Sequence, residues 1–335
     1  METLIATKPR LAFAGAGWIG RARMKAVAES DLAEMSFIAD PSEECLQEAY
    51  KIAPEIRAIN SFDEMVCNDA IDGVVIATPS ALHMQQAIAA FRENKAVFCQ
   101  KPLGRTRLEV AAVVNAARRN KKLLGADFSY RYTNAFQKIA TIIQSGELGN
   151  IYAIDLKFHN AYGPDKPWFH DFSLSGGGCA LDLGIHLIDL MLYALDFPAV
   201  VKVNSNLLSK SMSVKGRKEV EDYAAVIIEL ENDVTAQLAC SWNLPAGADA
   251  IIEASFYGTK GGVSLKNVGG SFYDFAAYRY WGTKTETITT TPDDWGGKAL
   301  LRWVKQLSVN NHFNREAEQF LQSAEVLDKI YGRME

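Results

Sequence analysis

The feature that most constrains the fold is a glycine pattern, Gly15-Ala16-Gly17-Trp18-Ile19-Gly20, set between the apolar run Leu11–Ala14 and a helical pattern from Ile19 to about Glu29. A G-x-G-x-x-G alone is a weak signal. Its place after a strand and at the opening of a helix gives it a physical meaning. Gly15 permits the tight turn, Gly17 lets backbone approach a pyrophosphate, and Gly20 lets the helix pack closely on the strand. Backbone N–H groups at the helix start, around Trp18 and Ile19, then face the phosphates. Asp40 closes the next apolar segment, 20 residues beyond Gly20, the spacing of an acid that binds a ribose 2′-hydroxyl. Its carboxylate repels a 2′-phosphate, and Pro41 and Ser42 follow where an arginine would be needed to bind one. The pattern therefore predicts NAD as cofactor. For Asp40 the structural alternative is a solvated turn carboxylate.

Strands and helices alternate beyond this point. Ser42 is a plausible N-cap for a helix through Ile52, with Glu43 and Glu44 in its first turn. Ile71–Thr78 and Ala96–Cys99 read as buried strands, Leu82–Asn94 and Leu108–Asn120 as helices, and a further strand starts at Leu123. Continuous apolar strands alternating with helices predict an α/β, doubly wound parallel sheet. After about Tyr130 the pattern changes. Helices are expected at Asn134–Ser145 and Cys179–Leu195. Strands are expected at Ile151–Phe158, Val200–Leu208, Tyr223–Leu230, Val234–Ser241, Ile251–Tyr257, Gly262–Leu265 and Ser271–Phe275. The chain closes with helical patterns around Ala299–Leu307 and Arg315–Tyr331. The expectation is a Rossmann domain over 1–130 and an α+β domain with a mixed, largely antiparallel sheet over 131–335.

Composition excludes some function classes. With 48% hydrophobic residues, 22% charged residues and a net charge of −5, the chain has no basic footprint for nucleic acid. No Lys/Arg cluster suits an anionic membrane surface, and no apolar run approaches the roughly 20 residues that span a bilayer. The five cysteines are odd in number and lack metal-type spacing, which fits reduced thiols. Residues 1–10 lack the apolar core of a signal peptide. A cytoplasmic location is expected, with neither nucleic acid nor membrane as partner.

Cofactor sites lie outside the carboxyl ends of such strands. Thr78 and Pro79 are expected on the nicotinamide side. His83, in the next helix, either contacts the cofactor or serves as a capping or packing histidine. Gln100 and Lys101 follow a strand and precede Pro102, which makes Lys101 a site candidate. Asp182, His186 and Asp189 fall at i, i+4 and i+7, one face of a helix. A carboxylate near a histidine can fix its tautomer and support its imidazolium. The glycine run Gly176–Gly178 before them lets backbone approach a ligand. A buried polar cluster of purely structural purpose is the alternative. Arg131 ends a strand region and is a candidate contact to substrate or cofactor. Trp168 lies in a Gly/Pro-punctuated loop, as an aromatic face in a substrate pocket or a core plug. His159 reads better as a structural histidine. No third ligand accompanies Asp182 and His186, so no metal is expected.

Gln100-Lys101-Pro102-Leu103-Gly104 and Gly176–Asp189 resemble the two signatures of the Gfo/Idh/MocA oxidoreductases, the glucose–fructose oxidoreductase and inositol dehydrogenase family. Tyr130-Arg131-Tyr132 and Ser145–Gly149 are weaker matches. The resemblance implies a Rossmann domain, an α+β domain whose open sheet carries oligomer contacts, and a homodimer or homotetramer. It implies hydride transfer between a nicotinamide and a sugar, cyclitol or related polyol carbon. It also implies that Lys101 contacts the reacting hydroxyl, that His186 transfers the proton and that Asp182 accompanies it. The family has Glu where this chain has Gln100, so the residue beside Lys101 supplies no countercharge. A histidine titrates near neutrality and suits the proton, and a lysine stabilises a developing alkoxide. Two other functions use the same fold. One is NAD-dependent glycoside cleavage by transient oxidation and elimination. The other is non-catalytic NAD sensing, which has no need of Lys101, Asp182 and His186.

Overall fold

The computed structural model describes residues 8–214, 216–293 and 295–333 of the 335. These form two compact units. The first comprises residues 8–104, Leu108–Ser129 and Gly296–Leu321. The second comprises Arg105–Arg107, Tyr130–Trp295 and residues 322–333.

In the first unit β1 (Arg10–Ala14), β2 (Glu34–Ala39), β3 (Arg57–Ala58), β4 (Gly73–Ile76), β5 (Ala96–Cys99) and β6 (Leu124–Ala126) form a parallel sheet in the order β3-β2-β1-β4-β5-β6. The predicted apolar runs become strands here because β4 and β5 are buried at every position, so neither face needs polar residues. Helices Trp18–Ser30, Glu43–Ile52, Ser80–Arg92 and Arg107–Arg119 alternate with the strands. The Ser42 hydroxyl caps its helix by accepting from the Cys45 N–H. Strand order reverses between β1 and β4, which sets the crevice for a ligand at their carboxyl ends.

Residues 296–321, placed by the sequence with the second domain, belong to the first unit. The helix Lys298–Val309 buries Ala299, Leu300, Trp303, Val304 and Leu307 on one side. Its Trp303 ring lies 5.8 Å from that of Phe98, over the glycines of β4 and β6. A methyl group at Gly73 or Gly125 would stand 2.6 or 2.7 Å from that indole. The helix pattern was legible locally; the sheet it covers was not.

The second unit holds β7 (Ile151–Asn160), β8 (Val200–Ser209), β9 (Met212–Ser213), β10 (Tyr223–Leu230), β11 (Thr235–Ser241), β12 (Ala250–Gly258), β13 (Gly261–Asn267), β14 (Phe275–Trp281) and β15 (Lys284–Thr289). They form one sheet in the order β15-β14-β13-β12-β7-β11-β10-β8-β9, parallel only between β7 and β11. Of the strand expected over 271–275, residues 271–274 form a turn, closed by the Val268 N–H donating to the Asp274 carbonyl at 2.9 Å, and Phe275 opens β14. The hairpin follows it as β14 and β15, reversing at Gly282, whose φ is +54°.

The helix expected from Cys179 opens with a π-helical turn, Ala180–Gly184, before regular helix over Ile185–Ala194. By length and composition the path Phe172–Ala194 could cross a membrane, contrary to the expectation that no run comes close, and 83% of its apolar window is buried in the fold. The helix is apolar all round because it is a core helix.

Candidate functional site

In the first unit the ends of β1 and β4 are joined, Ala77 N–H donating to the Ala14 carbonyl at 2.7 Å. Gly15 has φ +95°, and a Cβ there would lie 2.5 Å from the Ala77 oxygen. A Cβ on Gly20 would lie 2.2 Å from the Gly15 oxygen, whereas one on Gly17 would meet nothing within 4 Å. The outer glycines are thus required by the chain itself, and the middle one borders open space. The helix that starts there has neither a side-chain cap nor an acidic residue in its first turn. Its N–H groups carry the positive end of the helix dipole, so the place fits a pyrophosphate. Trp18 is 64% exposed and Ile19 half-buried beside it.

Asp40 is bound to this loop. Its Oδ2 accepts from Ala16 N–H at 2.7 Å and its Oδ1 from Ser42 N–H at 2.8 Å. It is therefore no loosely solvated turn residue. Backbone donors hold its negative charge at the end of β2, against the glycine loop.

At the end of β4 the Thr78 hydroxyl donates to Gln86 Oε1 at 2.6 Å, and Pro79 leads into the helix Ser80–Arg92. His83 is 1% exposed. Its Nε2 lies 2.7 Å from the Thr78 carbonyl and its Nδ1 2.7 Å from the Pro102 carbonyl. Burial lowers its pKa, more than the two carbonyls restore. Both ring nitrogens of His83 are thus engaged by backbone carbonyls on either side of it. Lys101 is half-buried between Gln100 and Pro102, directly beyond β5. Gln100 is 6% exposed and turned inward, donating to Asp127.

In the second unit, every residue from Leu181 to Met191 is buried except Asp182 and His186, which keep partial exposure. These two are the polar opening in an otherwise sealed helix. Trp242 Nε1 donates to Asp182 Oδ2 at 3.2 Å. The His186 ring stacks on Tyr130 with centroids 4.6 Å apart. Burial pushes the Tyr130 phenol well above its ordinary pKa, so it stays neutral beneath the imidazole.

Asp189 is not on that strip. It is 1% exposed and meets Arg131 in a two-pronged pair, Nε to Oδ2 at 2.6 Å and Nη2 to Oδ1 at 2.5 Å. The Arg131 guanidinium also lies over the rings of Tyr193 and Phe197, at 5.0 and 5.3 Å. Arg131, expected to touch substrate or cofactor, is thus built into the core, because a buried carboxylate needs a paired cation.

The glycine run before Asp182 is also explained from within. A Cβ on Gly178 would lie 1.9 Å from the Glu221 carbonyl oxygen, and one on Gly177 2.2 Å from the Tyr331 hydroxyl. The close approach is to protein, not to a ligand. Buried Glu221 accepts from the N–H groups of Gly178 and Ala180, each at 2.9 Å, and from the Tyr331 hydroxyl at 2.7 Å. It anchors the start of the π-turn. No local pattern in the sequence marks this role.

Trp168 is half-buried and stacks on Phe169 at 3.8 Å. Phe169 and His170 meet the face of Trp242 edge-on, at 6.3 and 5.9 Å. Sequence reasoning missed Trp242; its signal was an aromatic residue directly after the strand end at Ser241. His159 is half-buried, and its Nδ1 lies 2.8 Å from the Ser241 hydroxyl.

Residues 10–128 match the family model described as "Oxidoreductase family, NAD-binding Rossmann fold", and residues 136–264 match "GFO/IDH/MocA C-terminal domain". The chain is 30% identical over 205 residues to D-glucoside 3-dehydrogenase of Escherichia coli (strain K12), an alignment covering 58% of each protein. Among solved structures, GenD2 from gentamicin A biosynthesis, in complex with NAD, superposes with a TM-score of 0.80 at 21% identity, over 97% of this chain and 93% of that one. KijD10, a 3-ketoreductase from Actinomadura kijaniata in complex with NADP, superposes with a TM-score of 0.82 at 19% identity, over 96% and 97%. These two structures share the fold and differ in cofactor. The glycine loop of the first unit, the helix of Asp182 and His186 in the second, and the two matched domain models place this chain in the Gfo/Idh/MocA oxidoreductase family.

Proposed function

We propose that the protein is an NAD(H)-dependent oxidoreductase that moves a hydride between nicotinamide and a secondary hydroxyl or ketone of a sugar, cyclitol or related polyol. The observation that carries this reading is the polar strip of Asp182 and His186 in a buried helix of a chain that also has a dinucleotide loop. A binding protein gains nothing from a partly exposed acid and imidazole there.

When bound, the nicotinamide supplies the hydride chemistry. The Lys101 ammonium stabilises the negative charge that develops on the substrate oxygen. His186 takes the hydroxyl proton, and Asp182 supports the imidazolium that results. Trp168 and Phe169 offer ring faces to the apolar face of a sugar. The names D-glucoside 3-dehydrogenase and 3-ketoreductase, carried by a relative and a fold neighbour, support a ring carbon of a sugar as the reacting centre. NAD is favoured over NADP because Asp40 holds a carboxylate at the end of β2. The second unit binds the substrate and carries self-association into a dimer or tetramer, in the cytoplasm.

The test is a screen of glucosides, inositols and their keto forms with NAD and NADP, followed by absorbance of the reduced cofactor, with Lys101→Ala alongside. The variant loses turnover while its Kd for NADH stays within about threefold of the parent. Turnover equal to the parent's overturns the assignment.

A further inference from the structure

A buried polar network ends on the residue next to Lys101. Asp127 Oδ2 accepts from two donors, Arg23 Nε at 2.5 Å and Gln100 Nε2. Asp127 Oδ1 accepts from the Ser129 hydroxyl, whose Oγ accepts from Arg23 Nη2 at 2.8 Å. Arg23 belongs to the helix that opens at the glycine loop, and its Nη1 donates to the Gly296 carbonyl. The Arg23 and Asp127 side chains are 6% and 0% exposed. On the far side of Lys101, the Pro102 carbonyl is held by His83 at 2.7 Å.

This arrangement dictates what position 100 must be. An oxygen that already serves Arg23 accepts a second donor but repels a second oxygen. Glutamine supplies the donor. A glutamate supplies it only when protonated; ionised, it leaves a net negative charge where water is excluded. Among the described residues, the charged and titratable groups around position 100 and Lys101 include Arg23 from the helix at the glycine loop, Asp127 beyond β6, Cys99 on β5, and His83, whose imidazole feels the Lys101 charge. Burial and the charge of Asp127 push the Cys99 thiol well up, so it stays neutral and offsets nothing.

We propose that Asp127, acting through Arg23 and Gln100, is a positioning residue for Lys101 and sets the electrostatic balance around it. Gln100 is then no defective version of the family glutamate. It is the residue required by the acid at 127, and restoring glutamate damages this chain. The proposal rests on the reading of Lys101 as the group at the reacting oxygen.

Amine labelling with acetic anhydride, read residue by residue by mass spectrometry, tests it without a known substrate. The reagent attacks neutral amine, so labelling reports the charge state of Lys101. Asp127→Asn removes a negative charge and speeds Lys101 labelling at about pH 8 by about threefold or more. Gln100→Glu adds one and slows it by a similar factor, and the slowing fades as pH falls and the introduced carboxyl takes up its proton. Mere loosening of the site speeds both. Unchanged rates, or rates raised in both variants, overturn the proposal. If Gln100→Glu gives no cooperative melt, the isosteric Asp127→Asn decides alone: faster labelling supports the proposal and parental labelling overturns it. Turnover of Lys101→Ala on the sugar panel separates the two levels. Opposite-signed labelling shifts with an active Lys101→Ala sink the functional reading and leave the coupling standing. An inactive Lys101→Ala with no labelling shifts sinks the coupling alone.

Discussion

The His186 imidazole lies on the ring of Tyr130, with planes 30° apart and centroids separated by 4.6 Å. The phenol is buried and neutral, so it offers a ring face and no charge. Tyr130→Phe keeps that face and should leave kcat within about threefold, while Tyr130→Ala should cost about 3–5 kcal/mol of stability as well as activity. His186→Ala should lower kcat by about 10²–10⁴-fold. Steady-state kinetics checks this, and a parental kcat in His186→Ala ends the proton-transfer role.

On the proposed reading, Asp40 joins cofactor choice to loop shape, because its carboxylate receives the Ala16 N–H. Asp40→Ala should weaken NADH by about tenfold or more, since a hydroxyl partner and a loop anchor are lost together. NADPH should suffer less, because a repulsion goes at the same time. Fluorescence titration with both reduced cofactors measures the difference. Tighter NADPH than NADH binding by the unaltered protein would contradict the NAD assignment.

Gly178 and Glu221 set the start of the π-turn. Gly178→Ala places a methyl group against backbone, which cannot give, and should cost about 3 kcal/mol. Tyr331→Phe removes one donor from a buried carboxylate and should cost about 1–3 kcal/mol. Both changes are predicted to lower kcat, since Asp182 begins in the turn that Glu221 holds. Urea melts read beside kinetics check this; parental stability in either variant would show that the anchor is dispensable.

His83 predicts a pH dependence of stability. Its folded pKa is lowered by burial, so the unfolded chain binds the proton first as pH falls. The stabilisation is therefore complete above the ordinary histidine value of about 6.5 and is lost as pH drops from there toward the folded value. His83→Gln lacks the titrating group. The gap in Tm between parent and variant should shrink between about pH 7.5 and about pH 5.5. A gap that stays constant over that interval would mean the imidazole does not titrate on unfolding.

Much of the architecture was legible along the chain. Strands buried on both faces read as apolar runs, and the glycine loop required Gly15 and Gly20 at their spacing. The second sheet was legible except at its two edges, at the short β9 and where β14 and β15 follow a turn that resembles a strand. Asp182 and His186, singled out by helical spacing and family resemblance, are the two half-buried positions in the buried stretch Leu181–Met191. Their neighbour Asp189 turns into the core instead, to a buried pair with Arg131, 58 residues away in the chain, which helical spacing does not record.

By itself, the sequence determined the strands, the helices and the cofactor loop, because periodicity, turn residues and caps act over a few neighbouring positions. The tertiary structure alone decided what the polar side chains serve. Arg131 turns to Asp189, His83 to two carbonyls, the glycine run to Glu221 and Tyr331, and Gln100 to an acid held by Arg23. Apart from the His83–Thr78 contact, each of these joins residues well separated in the chain. A buried polar group must find its partner wherever the fold brings one, and no local pattern records that choice.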